Sequence, residues 1–129
     1  MAEIPRATDT ELSILKILWD NQPCTVRFVT GELSRLKGEE VKYTTALKLM
    51  QLMHEKGLVT RDESERTHLY SASHTRDKMQ RHVLSQLAAK IFGGATADLA
   101  MQALSAKKVE PEELRRLKAY IDKQLEAED

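Results

Sequence analysis

The strongest constraint on this chain is the order of its periodicities. Three segments with helical spacing come first, two short β-prone runs around a polar turn follow, and helical spacing then resumes to the end. The first segment, Thr10 to Asp20, puts Leu12, Leu15 and Trp19 on one face, with Ile14 and Leu18 on its flank. Thr8 and Glu11 stand at its start with the spacing at which each side chain satisfies a backbone donor of the first turn. Asn21-Gln22-Pro23 ends it. A second helix is predicted from Thr25 as N-cap, with Val26, Val29, Leu33 and Leu36 as its stripe, and Gly38-Glu39-Glu40 breaks it. A third is predicted over Tyr43 to Lys56, with Ala46, Leu49, Met50 and Met53 facing inward and Gly57 as its C-terminal cap. Leu58-Val59-Thr60-Arg61 and Thr67-His68-Leu69-Tyr70 bracket a polar run and predict an antiparallel hairpin.

From Thr75 onward the pattern is helical throughout. Met79, Val83, Leu87 and Ile91 recur every fourth residue, Gly93-Gly94 stops the run, and Ala97 to Ala106 forms a shorter helix. Pro111 opens a last helix at its first position, with Leu114, Leu117, Ile121 and Leu125 as its stripe. A few open helices of this length bury little core alone. They are therefore predicted to join two protomers through Met79, Val83, Leu87, Leu99, Leu104, Leu114, Leu117 and Ile121. The fold class is mainly α with a small β-hairpin: a winged helix-turn-helix over residues 1–73 and a three-helix dimerisation domain over residues 74–129.

Composition narrows the function. No apolar stretch approaches the length of a membrane span, and the N-terminus lacks the apolar core of a secretory signal, so a cytoplasmic protein without membrane insertion is expected. One cysteine, Cys24, makes no internal disulfide and supplies too few thiolates for a cysteine zinc site. Aromatic residues at 5% are too few for an RNA stacking platform. His54, His68, His74 and His82 have no ligand spacing, and His54-Glu55 is followed by Leu58 where a metalloprotease helix needs its second histidine. No nucleophile elbow, phosphate loop or dinucleotide fingerprint appears, so no enzyme, metal or cofactor is expected.

The run Tyr43-Thr44-Thr45, continuing through Glu55-Lys56-Gly57-Leu58-Val59 to Glu65-Arg66-Thr67-His68-Leu69-Tyr70, resembles the recognition helix and wing of the BlaI/MecI/CopY penicillinase-repressor family. Glu11-Leu12 to Leu18-Trp19, Thr25-Val26-Arg27, Phe92-Gly93-Gly94 and Pro111-Glu112-Glu113-Leu114 fit the same family, so the resemblance covers nearly the whole chain. It implies a homodimeric transcriptional repressor on an inverted-repeat, pseudo-palindromic operator in double-stranded DNA, controlling β-lactam or other stress-response genes. It also implies inactivation by proteolysis in the short helix of the dimerisation lobe, under control of a membrane zinc-peptidase sensor that detects β-lactams. Where the family's cleaved pair is Asn-Phe, this chain has Gln102-Ala103, and the residue pattern alone lets Leu99, Ala103 and Leu104 pack a dimer core. The copper-responsive branch carries C-terminal cysteines, which this sequence lacks.

Within that reading the outward face of the third helix offers Thr44, Thr45, Lys48 and Gln51, whose hydroxyl, amine and amide groups pair with phosphates or base edges. Leu47 and Leu52 flank this face and call for an apolar partner such as a thymine methyl. Many family members carry Arg where this chain has Leu52. Lys42 offers a phosphate contact; Tyr43 either does the same through its hydroxyl or packs as a ring at the helix entrance. In the hairpin, Arg66 holds the family's wing position and ranks above Arg61, although Asp62, Glu63 and Glu65 surround both. Neither half of the chain is basic, since residues 1–75 carry 10 Lys+Arg against 11 Asp+Glu and residues 76–129 carry 10 against 9. The rival reading is therefore a winged-helix protein-interaction module that does not bind DNA by itself.

Overall fold

A computed structural model describes residues 3–128, so the outermost residues of the two expected segments (1, 2 and 129) lie outside it. The element order is α1 (Asp9–Asn21), α2 (Val26–Lys37), α3 (Tyr43–Lys56), β1 (Val59–Asp62), β2 (Leu69–Ala72), α4 (Arg76–Ile91), α5 (Thr96–Ala106) and α6 (Pro111–Ala127). This is the expected winged helix-turn-helix followed by helices. The chain divides into two compact units between Val83 and Leu84, within α4.

In the first unit α1 packs on α2, α2 on α3, α1 on β2 and α3 on β1. Ile14, Leu15 and Leu18 of α1, Val29 and Leu33 of α2, and Ala46, Met50 and Met53 of α3 are all closed off from solvent, with Leu58, Val59 and Tyr70 completing the core. The start of α1 shows the reciprocal cap in full. The Glu11 backbone N–H donates to Thr8 Oγ1 at 3.2 Å, and the Thr8 N–H donates to Glu11 Oε1 at 2.9 Å. That buried carboxylate also takes Lys56 Nζ at 2.7 Å, tying the first turn of α1 to the last turn of α3. Burial pushes the Glu11 carboxyl up, but Lys56 and the Thr8 N–H outweigh it and hold the group below its ordinary 4.5. Gly57 sits at φ 87°, the left-handed conformation that lets α3 stop and the chain turn directly into β1.

Several expectations need correction. Both strands start later than the apolar runs suggested: β1 pairs with β2 in the register Val59↔Ala72 to Asp62↔Leu69, leaving Thr67 and His68 in the loop. Asp62 Oδ1 accepts the Ser64 N–H at 2.9 Å, a local turn that begins where β1 ends. The segment between α1 and α2 also joins the hairpin, because Cys24 N–H donates to Tyr70 O and Tyr70 N–H to Cys24 O, at 3.1 and 2.8 Å. Leu36, expected in the α2 stripe, is 58% exposed because it lies in the last turn, beyond the neighbours that cover Val29 and Leu33. Leu47 is half-buried against the core rather than fully outward. Met79, expected between protomers, is buried in the first unit's own core, since α4 begins there.

The second unit contains the end of α4 with α5 and α6, and neither α5 nor α6 has a buried residue. Val83, the last residue before this unit, is exposed. Leu87, Ile91, Met101, Leu104, Leu114, Tyr120, Ile121 and Leu125 are also exposed, and Leu99 and Leu117 are half-buried. Pro111 opens α6 as expected, with Glu112 and Glu113 in its first turn where the helix dipole favours negative charge.

Candidate nucleic-acid interface

The outward face of α3 follows from its inward one. With Ala46, Met50 and Met53 fixed in the core, the 3.6-residue period leaves Thr44, Thr45, Lys48 and Gln51 exposed. Leu52 lies on this face at 46% exposure. With Thr44, Thr45, Lys48 and Leu49 it bounds a shallow concavity of about 410 Å³. The α2–α3 turn is held by Val41 N–H donating to Ser34 Oγ at 3.0 Å, which fixes where α3 begins. Lys42 is the N-cap residue of α3, and its exposed side chain makes no capping bond.

At the other end of this face, the Arg27 guanidinium of α2 lies 4.9 Å from the centroid of the Tyr43 ring. The Tyr43 ring is therefore in use as a packing surface, yet the residue remains 40% exposed. Arg66, in the loop of the hairpin, lines the same cleft as Arg27, Tyr43 and Leu47; its volume is about 450 Å³. The structure thus brings Tyr43 and Arg66 together, while Thr44, Lys48 and Leu52 gather in the separate concavity on α3.

The acids of the wing are largely engaged. Asp62 accepts from Ser64, which lowers its pKa, and Glu63 lies 3.5 Å from Arg61 Nη2 and 3.9 Å from His68 Nε2. Arg61 is mostly covered and paired with Glu63, and the nearby Tyr70 hydroxyl and Glu63 push its already high pKa further up. Arg66 is exposed and has no ion pair among the described residues. Of the two hairpin arginines, Arg61 is thus engaged and Arg66 is not.

Arg27 lines this cleft as well, although spacing on α3 did not single it out. A signal was present: Thr25 caps α2 by accepting the Phe28 N–H at 3.1 Å, so Arg27 falls in the first turn, where the helix dipole disfavours a cation and where α2 has no acid. A local choice that opposes the local field marks a position shaped by something else.

Helices α1 to α3 followed by a hairpin that pairs with the α1–α2 segment define a winged-helix domain, and α5 and α6 extend it with a helical unit whose apolar faces are open. The chain belongs to the penicillinase repressor family, whose sequence profile matches residues 7–123. Among curated proteins it is similar to transcriptional regulator BlaI of Mycobacterium tuberculosis, 34% identical over 80 residues, or 61% of this chain. The chain spans 56% of that relative's length. Among solved structures, the DNA-binding domain of the repressor BlaI covers 59% of this chain at 22% identity, with a TM-score of 0.50 and 90% of its own length matched. RosR of H. salinarum covers 97% of this chain at 20% identity, with a TM-score of 0.54 and 99% of its own length matched. These two structures establish likeness of fold.

Proposed function

We propose that the protein is a homodimeric, cytoplasmic transcriptional repressor that reads a pseudo-palindromic operator in double-stranded DNA. The observation that carries this reading is the exposed α3 face, with Thr44, Thr45, Lys48 and Gln51 beside an unpaired wing cation, Arg66, in a chain of the penicillinase repressor family. Placed in a major groove, α3 offers Gln51 and Thr45 to base edges, Lys48 and Lys42 to phosphates, and Leu52 to a thymine methyl. Tyr43 and Arg66 hold the backbone at the wing side. Two-fold symmetry then sets two such faces on two half-sites.

Dimerisation is supported by the apolar faces of the second unit: Leu87, Leu99, Leu104, Leu114, Leu117 and Ile121, with Val83 just before it, are exposed or half-buried, and α5 and α6 bury nothing within one chain. Gln102 and Ala103 are exposed on α5. A sensor-peptidase route to β-lactam or other stress-response genes would cut between them; packing of this helix in the dimer core is the reading we favour.

The test is fluorescence anisotropy of the full chain on the duplex upstream of its own gene and on a scrambled duplex. Tighter binding to the upstream duplex is expected, with Lys48→Ala weakening both and Thr45→Ala or Gln51→Ala narrowing the gap between them. Equal, weak binding to both would favour the protein-interaction module instead.

A further inference from the structure

The geometry points to a phosphodiester-binding site in the cleft between α2, α3 and the wing, with Arg27 and Arg66 as its two cations and the Tyr43 hydroxyl as its neutral donor. It rests on the DNA-binding reading and gives it a site that spacing on α3 did not disclose. Arg27, Tyr43, Leu47 and Arg66 line one cleft of about 450 Å³ and come from three separate elements, so no periodicity groups them. The other arginines of the wing and α2, Arg61 and Arg35, are committed to Glu63 and Glu32, whereas Arg27 and Arg66 have no ion pair among the described residues.

The two free cations meet at the same opening, which matters in a chain with no net charge. Non-specific attraction depends on which cations are left unpaired on one face, not on their total. Arg27 is also held in place before any ligand arrives, because its guanidinium stacks on the Tyr43 ring at 4.9 Å. A planar guanidinium fixed in this way keeps its N–H fork free for the anionic oxygens of a phosphate. Beside it, the first-turn N–H groups of α2 carry the positive end of the helix dipole, which repels Arg27 in the free protein and attracts a phosphate. A bound phosphate thus relieves the one electrostatic conflict in α2. Arg66 reaches the same backbone from the wing side, so α2 and the wing grip one stretch of strand while α3 faces the bases.

Phosphate contacts carry no sequence information, so the test works on any duplex. The full chain is titrated by anisotropy onto a random-sequence duplex and onto the upstream duplex, between about 50 and about 200 mM salt. Arg27→Ala and Arg66→Ala are each expected to flatten the slope of log K against log salt by about 0.9 for each protomer engaged. The ratio of affinities for the two duplexes should stay at its wild-type value. Arg27→Lys should keep the slope, and Arg35→Ala, whose cation is already paired, should leave it untouched. Circular-dichroism melts accompany each variant; should Arg27→Ala melt early, Arg27→Gln replaces it. Wild-type slopes in both cleft variants, with selective binding intact, would overturn the cleft and leave the DNA-binding reading standing. An equal slope loss in Arg35→Ala would also overturn it, by making the effect one of total charge. No salt-dependent binding of the wild type to either duplex would overturn both.

Discussion

The two units of this chain solve the same problem to different degrees. In the first, α1, α2, α3 and the hairpin close around Ile14, Leu15, Leu18, Leu33, Met50, Met53 and Tyr70, and an ion pair between buried Glu11 and partly solvated Lys56 joins its first helix to its third. In the second, α5 and α6 bury no residue, and large apolar side chains such as Met101, Ile121 and Leu125 stand in the open. Both halves carry strong helical signals, so the difference lies in packing. Local propensity makes a helix; an enclosed apolar face makes it stable in water. The first unit owes its stability to contacts within one chain, and the second leaves its apolar faces uncovered within one chain.

The largest effect should come from the first unit's core. Leu18→Ala removes a fully buried side chain and should cost about 2 to 5 kcal/mol, read as a lower melting transition that does not move with protein concentration. In the second unit, Leu117→Asp places a charge among apolar faces that stay open in a single chain. Sedimentation should show it as a monomer with the first unit still folded, and the wild type should show a transition that rises with concentration. A dimer unaffected by Leu117→Asp would mean that the apolar face of α6 does not join protomers.

A smaller effect belongs to Glu11. Glu11→Gln keeps an acceptor for the Thr8 N–H but strips the charge from the pair with Lys56, whose side chain is partly solvated, and should cost about 1 kcal/mol in a denaturant titration at neutral pH. Because the folded pKa of Glu11 lies below its ordinary 4.5, its contribution is fully present above that value and is lost as pH falls through the folded pKa. The stabilities of the wild type and Glu11→Gln should therefore begin to draw together at about pH 4.5 and converge once the pH is below the folded pKa. A change of similar size is expected at Gly57, where alanine must adopt a positive φ of 87° and should cost about 1 kcal/mol, again in the first unit alone.

What could be read from the sequence divides along the same line. The cap formed by Thr8 and Glu11, the Gly57 stop, the Pro111 start and the polar face of α3 were all legible, because each is a pattern within a few residues. The Cys24–Tyr70 bridge was not, since it pairs backbone groups of distant segments and leaves no side-chain signature. Met79 and Val83 share one stripe of α4, but the first is enclosed in the first unit's core and the second is exposed. A four-residue repeat shows which face is apolar and is silent on what covers it. Arg27 and Arg66 belong to different elements, and only the folded hairpin brings them to one cleft.

We propose that the first unit reads DNA and the second brings two such units together on one duplex. Analytical ultracentrifugation of the labelled upstream duplex with a rising amount of full-length protein tests both halves at once. The expected result is a saturated complex of two chains per duplex, which Leu117→Asp does not form at the same concentration. A complex that saturates at one chain per duplex, or forms equally well with Leu117→Asp, would contradict it.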